Sequence, residues 1–385
     1  MSETPHRRRG PVLRHGTTLS LVFGAVLLAG AATGGWGDVP PPAGPPASDA
    51  LPVLTAGQDP AGAALSPQQA EGLIGASGDR WGAYYSAQEY AEFAQGLDGR
   101  YLGVGLSVGR GQDGVTAVSQ VQPLGPAAEA GIAPGDRLLR VGQDQADHLP
   151  VTDVVARLRG LEGDRQVGST VTLAVQRGDG QVREVALHRE LLASQQVSVE
   201  HTDTGVVRIT VRAFTNGVAD QVRAAVRGAR AGVVLDLRGN SGGLVEEAVG
   251  TASVFLDGGA VASYQERGAR RELTAARGGD TRTPLVVLVD GGTMSAAELL
   301  TGALQDRCRA VVVGSRTFGK GTVQQSSRLA DGSVLELTVG HYYTPSGRSP
   351  DGTGLTPDVP APDGDGASAL ALRVLAGLGT QGRPG

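Results

Sequence analysis

The sequence predicts an α/β protein in which a smaller strand-rich module precedes a larger layered core. Three observations carry that prediction. From Val197 onward, apolar strand-like runs alternate with amphipathic helical stretches, the pattern of a sheet covered by helices. Between Tyr101 and Leu191 the strand-like runs are short, broken by Gly and Asp, and interrupted only by the small helices PAAEAG and VTDVVARLRG. The 385 residues are also enough for more than one core.

Taken in order, residues 1–36 read equally as a cleaved signal peptide and as an uncleaved signal anchor. Arg7, Arg8, Arg9 and Arg14 precede an apolar, small-residue run from Leu19 to Ala32, and this basic-then-apolar order is a targeting signature. The run is short against the roughly 20 residues of a spanning helix, and Ala29-Gly30-Ala31 suits a signal-peptidase site. No cysteine follows it, which excludes a lipoprotein anchor. An exported protein, membrane-anchored or secreted, is therefore expected. Residues 37–64 form a proline-rich linker, expected to be extended.

Residues 65–100 carry helical spacing with Leu73, Trp81, Tyr84, Tyr85, Tyr90 and Phe93, which predicts an N-terminal helical segment packed on the next domain. Residues 101–191 hold the strand runs LGVGLSV, VTAVSQV, DRLLRVG, TVTLAVQ and REVALHR, about the size of a compact recognition module. The layered core is expected over 192–361. It comprises strand VVRITVRAF, helix VADQVRAAVRGA, strand AGVVLDLRG, helix VEEAVGTASVFL, strand PLVVLVD, helix SAAELLTGALQD, strand AVVVGSR and a strand pair over TVQQSSRLADGSVLELTVGHYY. Residues 362–385 read as a terminal helix, Ala367 to Leu378, and a tail.

Composition narrows the chemistry. Hydrophobic residues at 40% and charged residues at 19% are ordinary for a globular chain. A net charge of −5, with no basic face beyond the N-terminus, argues against a nucleic-acid partner. Cys308 is the only cysteine, so an internal disulfide and a cysteine metal site are excluded. Lys320 is the only lysine among 34 basic side chains. Arginine stays protonated in proteins, whereas a lysine can be desolvated into a neutral base.

Several motifs compete. Gly239-Asn240-Ser241-Gly242-Gly243 fits a G-x-S-x-G nucleophile elbow after a strand, but the only downstream histidine for such a hydrolase is His341. That histidine sits in the strand-like run TVGHYYTP, where a half-buried packing residue is the plainer reading. Gly314 to Lys320 nearly completes a phosphate-binding loop, but Gly321 stands where Ser or Thr is needed, and a β-like run follows instead of a helix. Gly109-Arg110-Gly111-Gln112-Asp113-Gly114 spells G-x-G-x-x-G but leads into a strand, as a hairpin turn does. Ser295, in DGGTMSAAELL, lies between a glycine turn and a helix. Alone it reads as an N-cap, although a helix N-terminus also favours developing negative charge.

The segments VVLDLRGNSGGLVEEAV, PLVVLVDGGTMSAAELLTGALQD, VVVGSRTFGKGTVQ and LADGSVLELTVGHYYTPSGRSPDGTGLTPDV resemble the C-terminal processing peptidases, also called tail-specific proteases, in family order. Lys320 follows Ser295 by 25 residues and Gln324 lies four further on, the family's serine–lysine–glutamine intervals. WGAYYSAQEYAEF resembles the family's segment before its PDZ domain, and Tyr101–Leu191 resembles that domain. The resemblance implies a crotonase-like α/β peptidase core with an inserted PDZ domain, acting as a serine endopeptidase without metal or cofactor.

It further implies Ser295 as nucleophile and Lys320 as general base. Gln324 would orient the amine, since an even spacing in a strand shares a face. Ala296 and the Gly242-Gly243 turn would supply oxyanion donors. Gly103, Val104, Gly105 and Leu106 resemble a PDZ carboxylate-binding loop, which implies protein or peptide substrates held by their C-termini. Pro134-Gly135-Asp136 before RLLRVG supports that module.

Two positions depart from the family. Ser241 replaces the usual proline before the glycines, and Met294 occupies the usual small position before the serine. Asp306 aligns with an acid considered catalytic in some relatives; its plainer expectation is an ion pair or cap near Arg307 and Arg309. Two other readings remain open: a catalytically silent PDZ adaptor and a hydrolase using Ser241.

Overall fold

The computed structural model describes residues 20–21 and 65–380, apart from 112, 162–163, 267–268 and 363. The basic cluster, most of the apolar run, the proline-rich linker and the last five residues lie outside the described residues.

The core is organised by a six-stranded sheet in the order Val197–His201, Val206–Val211, Gly232–Asp236, Leu285–Val289, Val311–Gly314 and Val359–Pro360. Only the first pair is antiparallel. Helices cover both faces, which is why GVVLD and LVVLV are buried without interruption and apolar except at Asp236. Val207, Ile209, Val233, Leu235 and Val287 face one layer containing helices Val218–Val226, Val245–Phe255 and Ala296–Asp306. Val234, Val286, Leu288 and Val313 face the opposite way, onto Ala367, Ala371 and Leu375 of helix Asp365–Thr380.

A second sheet lies over the same core. Its strands run Gly243–Leu244, Ser20–Leu21, Thr322–Arg328, Val334–Tyr343, Ala260–Glu266 and Ala269–Thr274, and Ala83–Tyr85 also pairs with Val334–Tyr343. The hairpin Ala260–Glu266 with Ala269–Thr274 was not anticipated from the sequence.

The module between has its own core of Val108, Val118, Leu138, Val154, Leu173 and Leu187. Its sheet runs Leu106–Arg110, Thr116–Val121, Arg137–Val141, Thr170–Gln176 and Val182–His188. The chain enters along Arg100–Gly103 and leaves along Glu190–Ala193, and these two strands pair antiparallel with Gly103 opposite Glu190. Gly111 and Gly114 sit in the turn joining the first two strands of the module, a hairpin as expected.

The N-terminal segment is helical at both ends but not throughout. Helices Pro67–Ser77 and Ala87–Leu97, each started by a serine capping box, flank a turn and the short strand Ala83–Tyr85. Gly78 at φ 66° ends the first helix, so Trp81, Tyr84 and Tyr85 leave the helical register. Tyr85, Tyr90 and Phe93 instead cluster at ring separations of 5.3–6.2 Å.

Candidate active site

Where strand Leu285–Val289 gives way to helix Ala296–Asp306, Ser295 forms the N-cap with φ 57° and ψ −117°. A side-chain-bearing residue at such a backbone carries strain of order 1–3 kcal/mol and persists only when its surroundings hold it. Here the Met294 N–H donates to the Asn240 carbonyl (2.8 Å), the Thr293 hydroxyl donates to the Leu237 carbonyl (2.9 Å), and the Tyr342 hydroxyl donates to the Ser295 carbonyl (3.0 Å). Met294 and Ser295 are both buried.

Glu298 ties this serine to the lysine loop. Its Oε2 accepts the N–H of Ser295 and the N–H of Lys320, each at 2.9 Å, so the two backbone nitrogens lie within two hydrogen-bond lengths of each other. Its Oε1 accepts the Gly319 N–H (2.8 Å) and the Thr317 hydroxyl (2.5 Å). Burial pushes this carboxyl up, and the four donors oppose that shift by favouring the carboxylate. Sequence reasoning missed Glu298. Its signal was the S-x-x-E capping-box spacing from Ser295; its hold on Lys320 depends on a loop 22 residues away.

Lys320 is buried, with its Nζ 4.9 Å from the Trp81 ring centroid. Burial lowers its pKa to about 8; nearby Glu336, Asp79 and Glu298 resist that shift and Arg80 adds to it. An amine so placed is partly neutral near neutral pH.

Gln324 is buried on strand Thr322–Arg328, opposite Thr338. Lys320 stands two residues ahead of that strand, so even spacing alone does not align the two. The turn over Gly78–Gly82 lies between them: Trp81 lies by the amine, and Asp79 bonds Thr338, the register partner of Gln324.

The glycine turn abuts the start of the serine helix. A β-carbon on Gly242 would lie 2.9 Å from Ser295 Cβ and 3.3 Å from the Ala296 nitrogen, and one on Gly243 would lie 2.3 Å from the Phe214 carbonyl oxygen. The Gly242 N–H donates to Asn240 Oδ1 (2.9 Å) and is already engaged. Ala296 opens the helix, where main-chain N–H groups lack intrahelical acceptors.

In the inserted module, Val104 is buried and Gly105 adopts φ 76°. The Ala127 N–H donates to the Val104 carbonyl (2.9 Å) and the Gln122 N–H to the Gly105 carbonyl (2.8 Å). Gly103 ends the entry strand, while Leu106 begins the edge strand of the module sheet, with Val154 and Leu158 of helix Val151–Arg159 in the same apolar cluster. An edge strand beside a helix is the geometry that accepts a peptide as an added strand.

Other candidates fall elsewhere. The His341 side chain is half-buried and pairs with Asp351 at 3.3 Å, a bond that raises its pKa. It makes no hydrogen bond to Ser241 among the described residues, so the hydrolase reading lacks its base. Asp306 pairs with Arg348 and accepts the Ser346 N–H (2.9 Å), rather than pairing with Arg307 or Arg309.

A strained serine at a helix start, a desolvated lysine and an inserted strand-edged module thus occur in one chain. The peptidase family S41 model matches residues 203–361 and the PDZ domain model matches 95–176. Residues 203–361 belong to peptidase family S41 by that match. A CtpA-like serine protease of Staphylococcus saprophyticus is 31% identical over 297 residues, covering 75% of this chain and 59% of that protein. One from Staphylococcus aureus is 33% identical over 304 residues, covering 77% and 60%. The chain thus spans about three fifths of the length of these relatives. A solved S41 protease from Bacteroides fragilis shares the fold at TM-score 0.53 and 18% identity, covering 84% of this chain and 94% of that one.

Proposed function

We propose that this chain is an exported serine endopeptidase that captures substrates by their C-terminal tails and cleaves through Ser295 and Lys320. The observation that carries the reading is the single Glu298 carboxylate oxygen holding the backbones of both residues. Neutral Lys320 takes the hydroxyl proton as Ser295 Oγ bonds to the scissile carbonyl carbon, and the carbonyl π electrons move to oxygen. The N–H groups of Ala296 and Gly243 stabilise that oxyanion; losing one such donor costs about 2.7–4 kcal/mol of barrier. The tetrahedral adduct collapses, the C–N bond breaks, and the Lys320 ammonium protonates the leaving amine. Water then attacks the acyl-enzyme, giving up its proton to Lys320, and the released Ser295 oxygen takes that proton back. Gln324 orients the amine without adding charge.

The PDZ loop at Gly103 to Leu106 holds the terminal carboxylate while the tail adds beside Leu106–Arg110. Residues 1–36 direct the chain outside the cytoplasmic membrane, and mass measurement of the mature N-terminus distinguishes removal from anchoring.

Cleavage of an internally quenched peptide ending in two alanines tests the catalytic claim. Ser295→Ala is expected to abolish turnover and Ser241→Ala to preserve it. Full activity in Ser295→Ala refutes this assignment, and a wild-type chain that binds the peptide without cutting it is an adaptor.

A further inference from the structure

Asp79 lies in the turn between helix Pro67–Ser77 and strand Ala83–Tyr85, outside both family-matched ranges. Its Oδ2 accepts the Thr338 backbone N–H (2.6 Å), and its Oδ1 accepts the Thr338 hydroxyl (2.8 Å) and the Trp81 backbone N–H (3.0 Å). Gln324 Nε2 donates to Thr338 Oγ1 (3.1 Å) and to Thr322 Oγ1 (2.8 Å). Gln324 Oε1 is buried and has no hydrogen-bond partner among the described residues.

A carboxylate only accepts, and a hydroxyl has one hydrogen. Asp79 therefore takes the Thr338 hydrogen, which leaves only lone pairs facing Gln324. The glutamine must answer with its NH2, whose second hydrogen goes to Thr322. Its carbonyl oxygen is thereby turned away from both threonines, and the amide has one orientation instead of two.

We infer that Asp79 is a positioning residue that sets the polarity of the Gln324 amide through Thr338, so that Gln324 presents an acceptor, and not a donor, to the catalytic amine. The same turn lays Trp81 beside Lys320, so the N-terminal segment supports both partners of the serine. This rests on the peptidase reading above. Asparagine at 79 can offer a donor to Thr338 and release the amide to flip.

The charged groups bearing on Lys320 are Glu336 on strand Val334–Tyr343, Asp79 and Arg80 on the turn, and Glu298 on the serine helix. Removing the Asp79 charge takes away one that favours the ammonium.

The test uses the full chain and two readouts: peptide cleavage, and NMR of lysine labelled with 13C at Cε, which gives one side-chain signal because Lys320 is the only lysine. Asp79→Asn is expected to lower kcat about ten- to a hundredfold with KM little changed, and to move the Lys320 titration to lower pH. Thr338→Val, which breaks the relay and leaves the charge, is expected to lower kcat similarly. In a Gln324→Ala background, Asp79→Asn should add little, because both changes disable one unit. An equal fractional loss in both backgrounds, or wild-type kcat and an unmoved titration in Asp79→Asn, overturns the inference. A wild type that cleaves nothing counts against the peptidase reading alone, since the lysine titration still reports Asp79.

Discussion

At the scale of single residues, the proposed mechanism turns on one proton. Lys320 would have to be neutral to accept it, and its pKa is about 8. Because the protonated form dominates below that value, kcat/KM is expected to fall about tenfold per pH unit on the acid side of pH 8 and to level off above it. A pH–rate profile checks this. Lys320→Arg keeps the charge but not the ability to lose a proton. It is expected to match Lys320→Ala, each losing about a thousandfold or more in kcat/KM. Gly243 carries a different constraint: at φ 128° it sits against the Phe214 backbone. Gly243→Ala adds roughly 1–3 kcal/mol of backbone strain before any clash, so a clear drop in the denaturation midpoint is expected.

At the scale of elements, the serine helix and the lysine loop depend on one buried carboxylate. Glu298 receives two main-chain N–H groups on Oε2, and another with a hydroxyl on Oε1. Glu298→Gln can serve only one of these sides with its oxygen and turns an NH2 toward the other. Unsatisfied buried donors cost about 1–3 kcal/mol each, so the urea midpoint should fall with an unchanged slope, and turnover should fall with it as the two loops separate. Glu298→Ala, which leaves every donor unmet, should be worse. The capping-box spacing from Ser295 is the one local sign of Glu298, and nothing local indicates that its second role is to hold Lys320.

At the scale of the whole molecule, the PDZ module is tied in by one antiparallel pair, Arg100–Gly103 with Glu190–Ala193. Because Gly103 and Glu190 are register partners, residues 104–189 can be replaced by a two-residue turn with little displacement of the core. If the module captures tails, the full chain should cleave a free-acid peptide about tenfold faster than its C-terminal amide, and the shortened chain should cut both alike. Equal rates for both peptides in the full chain would remove tail capture from the account. The module is joined to the N-terminal segment by the Arg165–Glu92 pair at 2.9 Å, a partly exposed contact of modest energy.

Local pattern by itself determined the layered α/β core and the strand-rich module before it, while the proposed trio Ser295, Lys320 and Gln324 rests on the resemblance to the C-terminal processing peptidases. These are legible because strand and helix periods repeat along the chain and because the serine–lysine–glutamine intervals are fixed numbers of residues. Tertiary structure decided the rest. Thr338 receives Asp79 from 259 residues away, Asp306 finds Arg348 rather than its chain neighbours, and the Gly242 N–H turns to Asn240. The even spacing from Lys320 to Gln324 proved incidental, since the strand begins only at Thr322. Periodicity records which face of an element is buried, because burial acts on every residue of that element. The loops that meet over Ser295 are brought together by packing of the elements between them, and a hydrogen bond across such a gap leaves no interval to read.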